Sequence, residues 1–297
     1  MSNKLRKMTL EKKHNLTGWA FLAPATFLIA VFSFWPMIKA LVLSFQTGKG
    51  RNMQMAGFTN YIRMFQDDVF IQSIKNTFFY FILQVPIMLV VAMVLACILN
   101  KKDLRFKGFF RTMIFVPCTT SLVAYSIIFR SLFANNGLVN YVLVNLGILD
   151  KPYNFLTQPF AAKMVILLGL LWRWTGYNMV FFLSGLQNIE YSVYEAAKID
   201  GASAIQTFFK ITVPLLKPTI LLTAIMSTNG TLQLFDESIN LTDGGPANAS
   251  ISMSHYIYNL CFKYVPNFGY AAAMSFFILL LVAVLAFIQM RVGDKRD

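Results

Sequence analysis

The feature that most constrains this chain is a succession of long apolar runs, at about residues 19–43, 77–99, 109–133, 160–185, 215–235 and 270–290. Each approaches or exceeds the ~20 apolar residues that an α-helix needs to cross the hydrocarbon core of a bilayer. Backbone amides find no water there, so runs of this length predict closed helices rather than open strands. Six spans take roughly 130 residues by that rule. About half of the 297-residue chain is left for loops and tails. Only 13% of the residues are charged and 57% are hydrophobic, against roughly 25% charged in a soluble domain. That balance excludes a water-soluble fold, a coiled coil, a disordered chain and a disulfide scaffold. The expected fold class is an all-α polytopic membrane protein with six transmembrane helices.

The first run follows a basic head, with Lys4, Arg6, Lys7, Lys12 and Lys13, and so has the outline of a signal peptide. It is too long for one. It reads as an uncleaved span kinked near Pro24 or Pro36, with Lys39 reaching toward the outer interface. The head shares one side of the membrane with the loop carrying Lys101, Lys102, Arg105 and Lys107. The loop with Lys198 and Lys210, and the tail with Arg291, Lys295 and Arg296, lie there too. By the positive-inside rule that side is cytoplasmic and both termini are inside. The opposite loops mix Lys49, Arg51, Arg63, Lys151 and Lys263 with Asp67, Asp68, Asp150 and Asp243. Arg130, near the outer end of the third span, is expected to snorkel.

The net charge of +13 on so apolar a chain therefore reads as membrane topology, with the lipid bilayer as partner and no nucleic acid. Cys97, Cys118 and Cys261 share no spacing that suggests a disulfide frame or a metal site. His14 and His255 share none with other ligands, so no metal is expected. The expected organisation is a cytoplasmic tail at 1–18, a first span with its extracytoplasmic loop at 19–70, a membrane core at 71–290 and a tail at 291–297. Two outer connections, at about 47–72 and 236–267, are long enough to carry function and to receive a partner.

The fourth connection holds the most informative local pattern. Ser192 with Glu195, and Ser203 with Gln206, have the S-x-x-E/Q spacing of capping boxes. Asp200-Gly201 between them signals a turn, because glycine accepts positive φ without steric cost. Pro214 is expected to end the second helix. Two short helices should meet at a sharp corner beneath the membrane. Ala196, Ala197, Ala202 and Ala204 would let another surface approach that corner closely.

This segment resembles the EAA loop of the inner-membrane subunits of binding-protein-dependent ATP-binding-cassette importers. The family pattern is E-A-A, two residues, D-G-A, then I-x-x-P or I-x-L-P. It is met by Glu195-Ala196-Ala197, Asp200-Gly201-Ala202 and Ile211 to Pro214, with valine at 213 in place of the commoner leucine. Downstream, Leu241-Thr242-Asp243-Gly244-Gly245-Pro246, Tyr256-Ile257-Tyr258 and Phe268-Gly269-Tyr270 resemble the carbohydrate branch, the relatives of the maltose and glycerol-phosphate permeases. The likeness covers about residues 75–290.

The resemblance implies the type I importer permease fold, with residues 189–214 as the coupling loop. Glu195, Ala196, Ala197, Asp200, Gly201 and Ala202 would dock into a cytoplasmic ATPase dimer, which uses ATP and Mg. It also implies an extracytoplasmic solute-binding protein and a second homologous permease subunit. Hetero-pairing is usual in the carbohydrate branch; the sequence leaves a homodimer open. No G-x-x-x-x-G-K-S/T phosphate loop is present, and Gly48-Lys49-Gly50 lacks the upstream glycine, so this chain is expected to bind no ATP itself and to be no enzyme.

Aromatic faces and neutral hydrogen-bonding groups suit a saccharide, and two spans carry them. The fourth supplies Trp172, Arg173, Trp174, Tyr177 and Asn178; the fifth supplies Ser227, Asn229, Gln233, Asp236 and Glu237. Arg173 and Asn229 each lie about 15 residues, roughly 22 Å, from the cytoplasmic end of their helix. Asn229, Gln233 and Asp236 follow i, i+4, i+7 spacing, and Trp174, Tyr177 and Asn178 also share a face. Interhelical bonding alone is the bland alternative for such residues. Arg173 is the sharpest of them, since a charge at that depth needs a partner or a cavity. It could pair with Asp236 or Glu237, donate to sugar hydroxyls, or recognise an anionic group such as a uronate.

The reading is the transmembrane permease subunit of an ATP-driven importer in the bacterial cytoplasmic membrane, with a carbohydrate, an oligosaccharide, as expected cargo. The alternatives are an importer permease for a non-sugar solute and an ion-coupled secondary carrier, which would be expected to show charged relays and internal repeats. A membrane enzyme would need a Ser/His, paired-carboxylate or metal constellation near the interface, and none is evident.

Overall fold

The computed structural model describes residues 10–49, 52–101 and 103–293. Lys4, Arg6, Lys7, Arg51, Lys102, Lys295 and Arg296, used above for orientation, lie outside the described residues, as does Gly50. The same holds for the side chains of Lys12, Lys13 and Lys49.

The first span is one helical rod in three parts: α1 (Leu10–Ile29), a π-helical turn at Ala30–Phe34, and α2 (Trp35–Ser44). Helix thus begins inside the expected 1–18 tail. The π turn has a local cause. Pro36 has no N–H for the Phe32 carbonyl four residues back, and the Trp35 amide bonds to Ala30 O, five back. The segment that follows carries an antiparallel strand pair, β1 (Gln46–Lys49) with β2 (Asn52–Met55), then α3 (Thr59–Met64).

Helix α4 (Asp68–Asn100) is the second span. Asp67 caps it, accepting from the amides of Val69 and Phe70 at 3.0 and 3.2 Å. The third run is not one straight span. It forms α5 (Lys107–Thr119) and α6 (Leu122–Leu132), bent by 99°. The break follows from Pro117-Cys118-Thr119-Thr120. The hydroxyls of Thr119 and Thr120 donate to Val116 O and Pro117 O at 2.9 and 2.7 Å, competing with helix continuation. After α7 (Leu138–Asn145), the fourth span is α8 (Pro159–Gln187).

Next come α9 (Tyr191–Ile199), α10 (Ala204–Thr207), a π turn at Phe208–Thr212, and α11 (Val213–Leu215). Helix α12 (Lys217–Leu232) leaves this stretch at a 71° bend. The break falls at Leu216 rather than at Pro214, because the Pro218 ring crowds the Pro214 carbonyl four residues back. The second long outer loop is ordered, with π turns at Ser238–Thr242 and Asn259–Lys263 flanking α13 (Met253–Tyr258). Helix α14 (Phe268–Gly293) is the last span. Among the described residues, four helical rods are long and apolar enough to cross a membrane, or up to six spans when each bent pair counts as one.

Helices α4 and α8 pack along each other, α5 lies on α8, and α12 bridges α4, α8 and α14. Gly176 permits the α5–α8 contact: a Cβ there would stand 1.9 Å from the Ile114 carbonyl oxygen. The most apolar window of the first span buries nothing against the rest of the chain.

Candidate functional site

A cavity of about 400 Å³ opens between α4, α8 and α12, within the size range of ligand pockets. Nine of the ten sequence-derived contact residues line it: Arg173, Trp174, Tyr177, Asn178, Ser227, Asn229, Gln233, Asp236 and Glu237. Trp172 does not. Two residues from Trp174 is about 200° around a helix, which carries Trp172 to another face. There it is 43% exposed and lies over Tyr125 and Phe129, with ring centres 6.0 and 5.5 Å away.

On the α8 wall, Trp174 and Tyr177 meet edge to face at 5.8 Å. Asn178 Nδ2 donates to the Trp174 carbonyl at 3.1 Å, and its Oδ1 accepts from Ser227 Oγ at 3.3 Å. The amide is thereby oriented and the two helices are joined. On the α12 side, Gln233 Nε2 donates to Asn229 Oδ1. The helix ends at Leu232 with Gln233 as its C-cap, so Asn229 and Gln233 still share a stripe while Asp236 is placed by the turn beyond it.

Two further polar residues join the wall. Gln84 of α4 accepts from Thr231 Oγ1 and donates to the Met88 sulfur at 3.2 Å; it is 2% exposed and Thr231 4%. The available signal was an amide in the middle of an apolar run, two residues before Pro86.

Arg173 makes no ion pair with Asp236 or Glu237 within 4.0 Å; among the described residues, Lys263 pairs with Asp243 at 2.8 Å, and the His255 ring lies 3.6 Å from the same carboxylate. Its Nη1 donates at 3.1 Å to the Thr120 carbonyl, which the break between α5 and α6 leaves without a helical partner. A cation at a helix C-terminus is favoured by the dipole and the free carbonyls. The guanidinium also lies 5.4 and 5.5 Å from the rings of Tyr125 and Trp174. Arg130 is exposed, as a snorkelling residue would be.

At one end of the bundle the ordered outer loop is tied to the spans. Asp67 accepts from the hydroxyls of Tyr256 and Tyr270, each at 2.7 Å. Burial opposes ionisation of Asp67, but these bonds and those from the Phe70 and Val69 amides outweigh it and hold its pKa below the ordinary carboxylate value. Asn76 Nδ2 donates to the carbonyls of Asn248 and Ile251 at 3.1 and 2.9 Å. His255, fully buried, faces Ser238 Oγ at 2.9 Å through Nδ1. Burial pushes its pKa down, against an upward pull from Asp243 and with a further downward push from Lys263.

At the opposite end, the helix-turn-helix forms a corner. Gly201 adopts φ +74°, and the Ala202 amide reaches back to Ala197 O at 2.9 Å, closing α9 as a left-handed glycine cap does. The Ser203–Gln206 capping box is complete. The Ser192–Glu195 box is not made: Glu190 stands at the N-cap, and Ser192 Oγ instead donates to Glu190 Oε2 at 3.3 Å. Glu195, Ala196, Asp200 and Gly201 are exposed and Ala202 is half-buried, whereas Ala197 packs inward at 6% exposure. The most exposed apolar groups on the corner are Ile199 and Ile205, at 86% and 72%. Neither was singled out from the sequence, although both flank the Asp-Gly-Ala turn.

Comparison with known proteins agrees with this architecture. Residues 67–296 match the family described as "Binding-protein-dependent transport system inner membrane component". The lactose transport system permease protein LacF of Rhizobium radiobacter is 50% identical over 292 residues, 98% of each chain. A solved bacterial transporter involved in import of the acidic polysaccharide alginate has a similar chain, with TM-score 0.85, 23% identity and coverage of 97% of this chain and 98% of that one. A bacterial alginate transporter solved with an alginate pentasaccharide-bound periplasmic protein gives TM-score 0.84, 25% identity and 96% coverage of both. With its type I permease fold, its spans and this family match, the chain belongs to the inner-membrane components of binding-protein-dependent transport systems.

Proposed function

We propose that the chain is the permease subunit of an ATP-driven importer for an oligosaccharide. The observation that carries this reading is the pairing of two features in one chain. An aromatic and amide-lined cavity sits within the spans, and an exposed Glu195–Ala202 corner projects from one end. The similarity to a lactose permease and to alginate transporters supports a carbohydrate cargo.

In this mechanism a solute-binding protein in the extracytoplasmic space delivers ligand to the outer loops. A separate ATPase dimer closes on ATP and Mg, and the corner carries that motion into α8 and α12. These flank the cavity, so displacing them switches its access from one side to the other. The chain supplies half of the path, and a second homologous permease subunit, as a heterodimer, supplies the rest. The corner end and both termini face the cytoplasm of a bacterial cell, and the membrane is the cytoplasmic one. Nucleotide is bound by the partner and not by this chain.

Uptake into sealed vesicles holding the assembled importer tests the reading. Accumulation of a saccharide should require ATP and binding protein and should persist when ion gradients are collapsed. Uptake that stops with the gradients and ignores ATP would instead indicate an ion-coupled carrier.

A further inference from the structure

The carbohydrate reading leaves the charge of the cargo open, and the cavity wall bears on it. Three ionisable residues line the cavity: Arg173, Asp236 and Glu237. One guanidinium stands against two carboxyl groups, so the wall carries no net positive charge. Part of the guanidinium is already engaged by the Thr120 carbonyl at 3.1 Å and by the rings of Tyr125 and Trp174. It is not poised as a free anion receptor.

The same residues hold open hydrogen-bonding capacity. Arg173 is 7% exposed and Glu237 4%, yet among the described residues Arg173 Nε and Glu237 Oε1 have no hydrogen-bond partner. Buried polar atoms left unpaired are costly, so an occupant that reaches both is favoured. A hydroxyl is donor and acceptor at once. Neighbouring sugar hydroxyls entering the cavity can accept from the guanidinium and donate to the carboxylate. The carboxylate of a uronate, or a sulfonate group, is an acceptor only; it would serve Arg173 while being opposed by the Asp236 charge and finding no donor in the hydroxyl's place beside Glu237. The fold does not impose this preference, since a solved relative of the same fold takes part in import of an acidic polysaccharide. The discrimination belongs to the side chains.

We infer that this cavity selects uncharged saccharides: Arg173 and Glu237 form a donor–acceptor pair for sugar hydroxyls, and the Asp236 charge beside them excludes anionic sugars. The inference rests on the carbohydrate reading above. It makes Glu237, which the family resemblance does not single out, a specificity-determining residue.

Equilibrium binding to the assembled importer in lipid nanodiscs, without its binding protein, tests it at the cavity itself. The probes are radiolabelled lactose, maltose and cellobiose, each against its uronate-terminated counterpart. At least one neutral disaccharide should bind about tenfold or more tightly than its uronate, and Glu237→Gln or Arg173→Gln should weaken the neutral probe by about tenfold. The double variant Asp236→Asn with Glu237→Gln should narrow the neutral-to-uronate ratio, which isolates this chain's wall from the second subunit's. If a variant fails to co-purify with the ATPase, the wild-type ratio alone still decides. Uronates that bind as well as or better than neutral sugars overturn the inference and leave the carbohydrate reading standing. Failure of every saccharide to bind while ATP-driven sugar uptake proceeds removes the cavity from the path. Failure of every saccharide to be taken up overturns the carbohydrate reading itself.

Discussion

The cavity wall and the Glu195–Ala202 corner break the hydrophobic rule in opposite directions. In the wall, Arg173, Asn178, Gln84 and Glu237 are polar and less than a tenth exposed, inside a bundle whose surroundings are apolar. At the corner, Ile199 and Ile205 are apolar and almost fully exposed on short helices clear of the spans. Buried polar groups are costly without partners, and exposed apolar patches mark interaction surfaces. In the proposed function each region is completed from outside the chain, the wall by a polar solute at Arg173 and Glu237 and the corner by an apolar receiving cleft. Transport needs both completions in sequence.

Charge on the corner should do the most damage. Replacing Ile199 and Ile205 together with Asp should lower ATP-dependent uptake at least about thirtyfold, while sugar binding at the cavity stays unchanged. Equal loss of sugar binding would break the separation between the two regions. Next in size is a change to the wall's frame. Gly176→Ala sets a Cβ against the Ile114 carbonyl and should cost about 2 kcal/mol of stability through forced backbone movement, read as a lower thermal midpoint of the purified subunit. An unchanged midpoint would mean that α5 is free to retreat from α8.

A smaller effect is expected from contacts within the wall. Asn178→Ala removes the amide that joins α8 to Ser227 and should raise the sugar concentration for half-maximal uptake by about tenfold, leaving basal ATP hydrolysis intact. The smallest effect belongs to the outer loop, which breaks neither rule. His255 is held neutral by burial, so its folded pKa lies below the ordinary value of 6.5. Its contribution is fully present above pH 6.5 and declines as pH falls toward the folded pKa, where the unfolded chain binds the proton more readily. The thermal midpoint should drop modestly between about pH 6.5 and 5, and His255→Gln should flatten that slope. A wild-type midpoint constant over this range would contradict the assignment.

The positions of the spans were legible because their apolar runs are long, and the corner because Asp200-Gly201 and Ser203-x-x-Gln206 are local signals with a mechanism. The breaks were less so. Pro117-Cys118-Thr119-Thr120 ends α5 through hydroxyl bonds to its own carbonyls, which a hydropathy window averages away. Nine of the expected contact residues meet at one cavity, but Trp172 was misplaced, because its step around the helix carries it to Tyr125 and Phe129. Of the roles expected for Arg173, pairing with Asp236 or Glu237 is not made, and the Thr120 carbonyl is a partner that was not expected. That carbonyl exists as a partner only because the third span bends, a tertiary consequence that no linear spacing encodes. Gln84 was hidden by the apolar run around it, and the Ser192 box failed because Glu190 already occupied the cap.

The central claim is that motion generated on a separate ATPase enters this chain through the corner. A photo-crosslinking residue substituted at Ile199 in the assembled importer tests it most directly. The account predicts a covalent adduct with the ATPase subunit, formed on illumination and accompanied by loss of uptake with sugar binding retained. An assembled, transporting complex in which that position labels only lipid or this chain itself would contradict it.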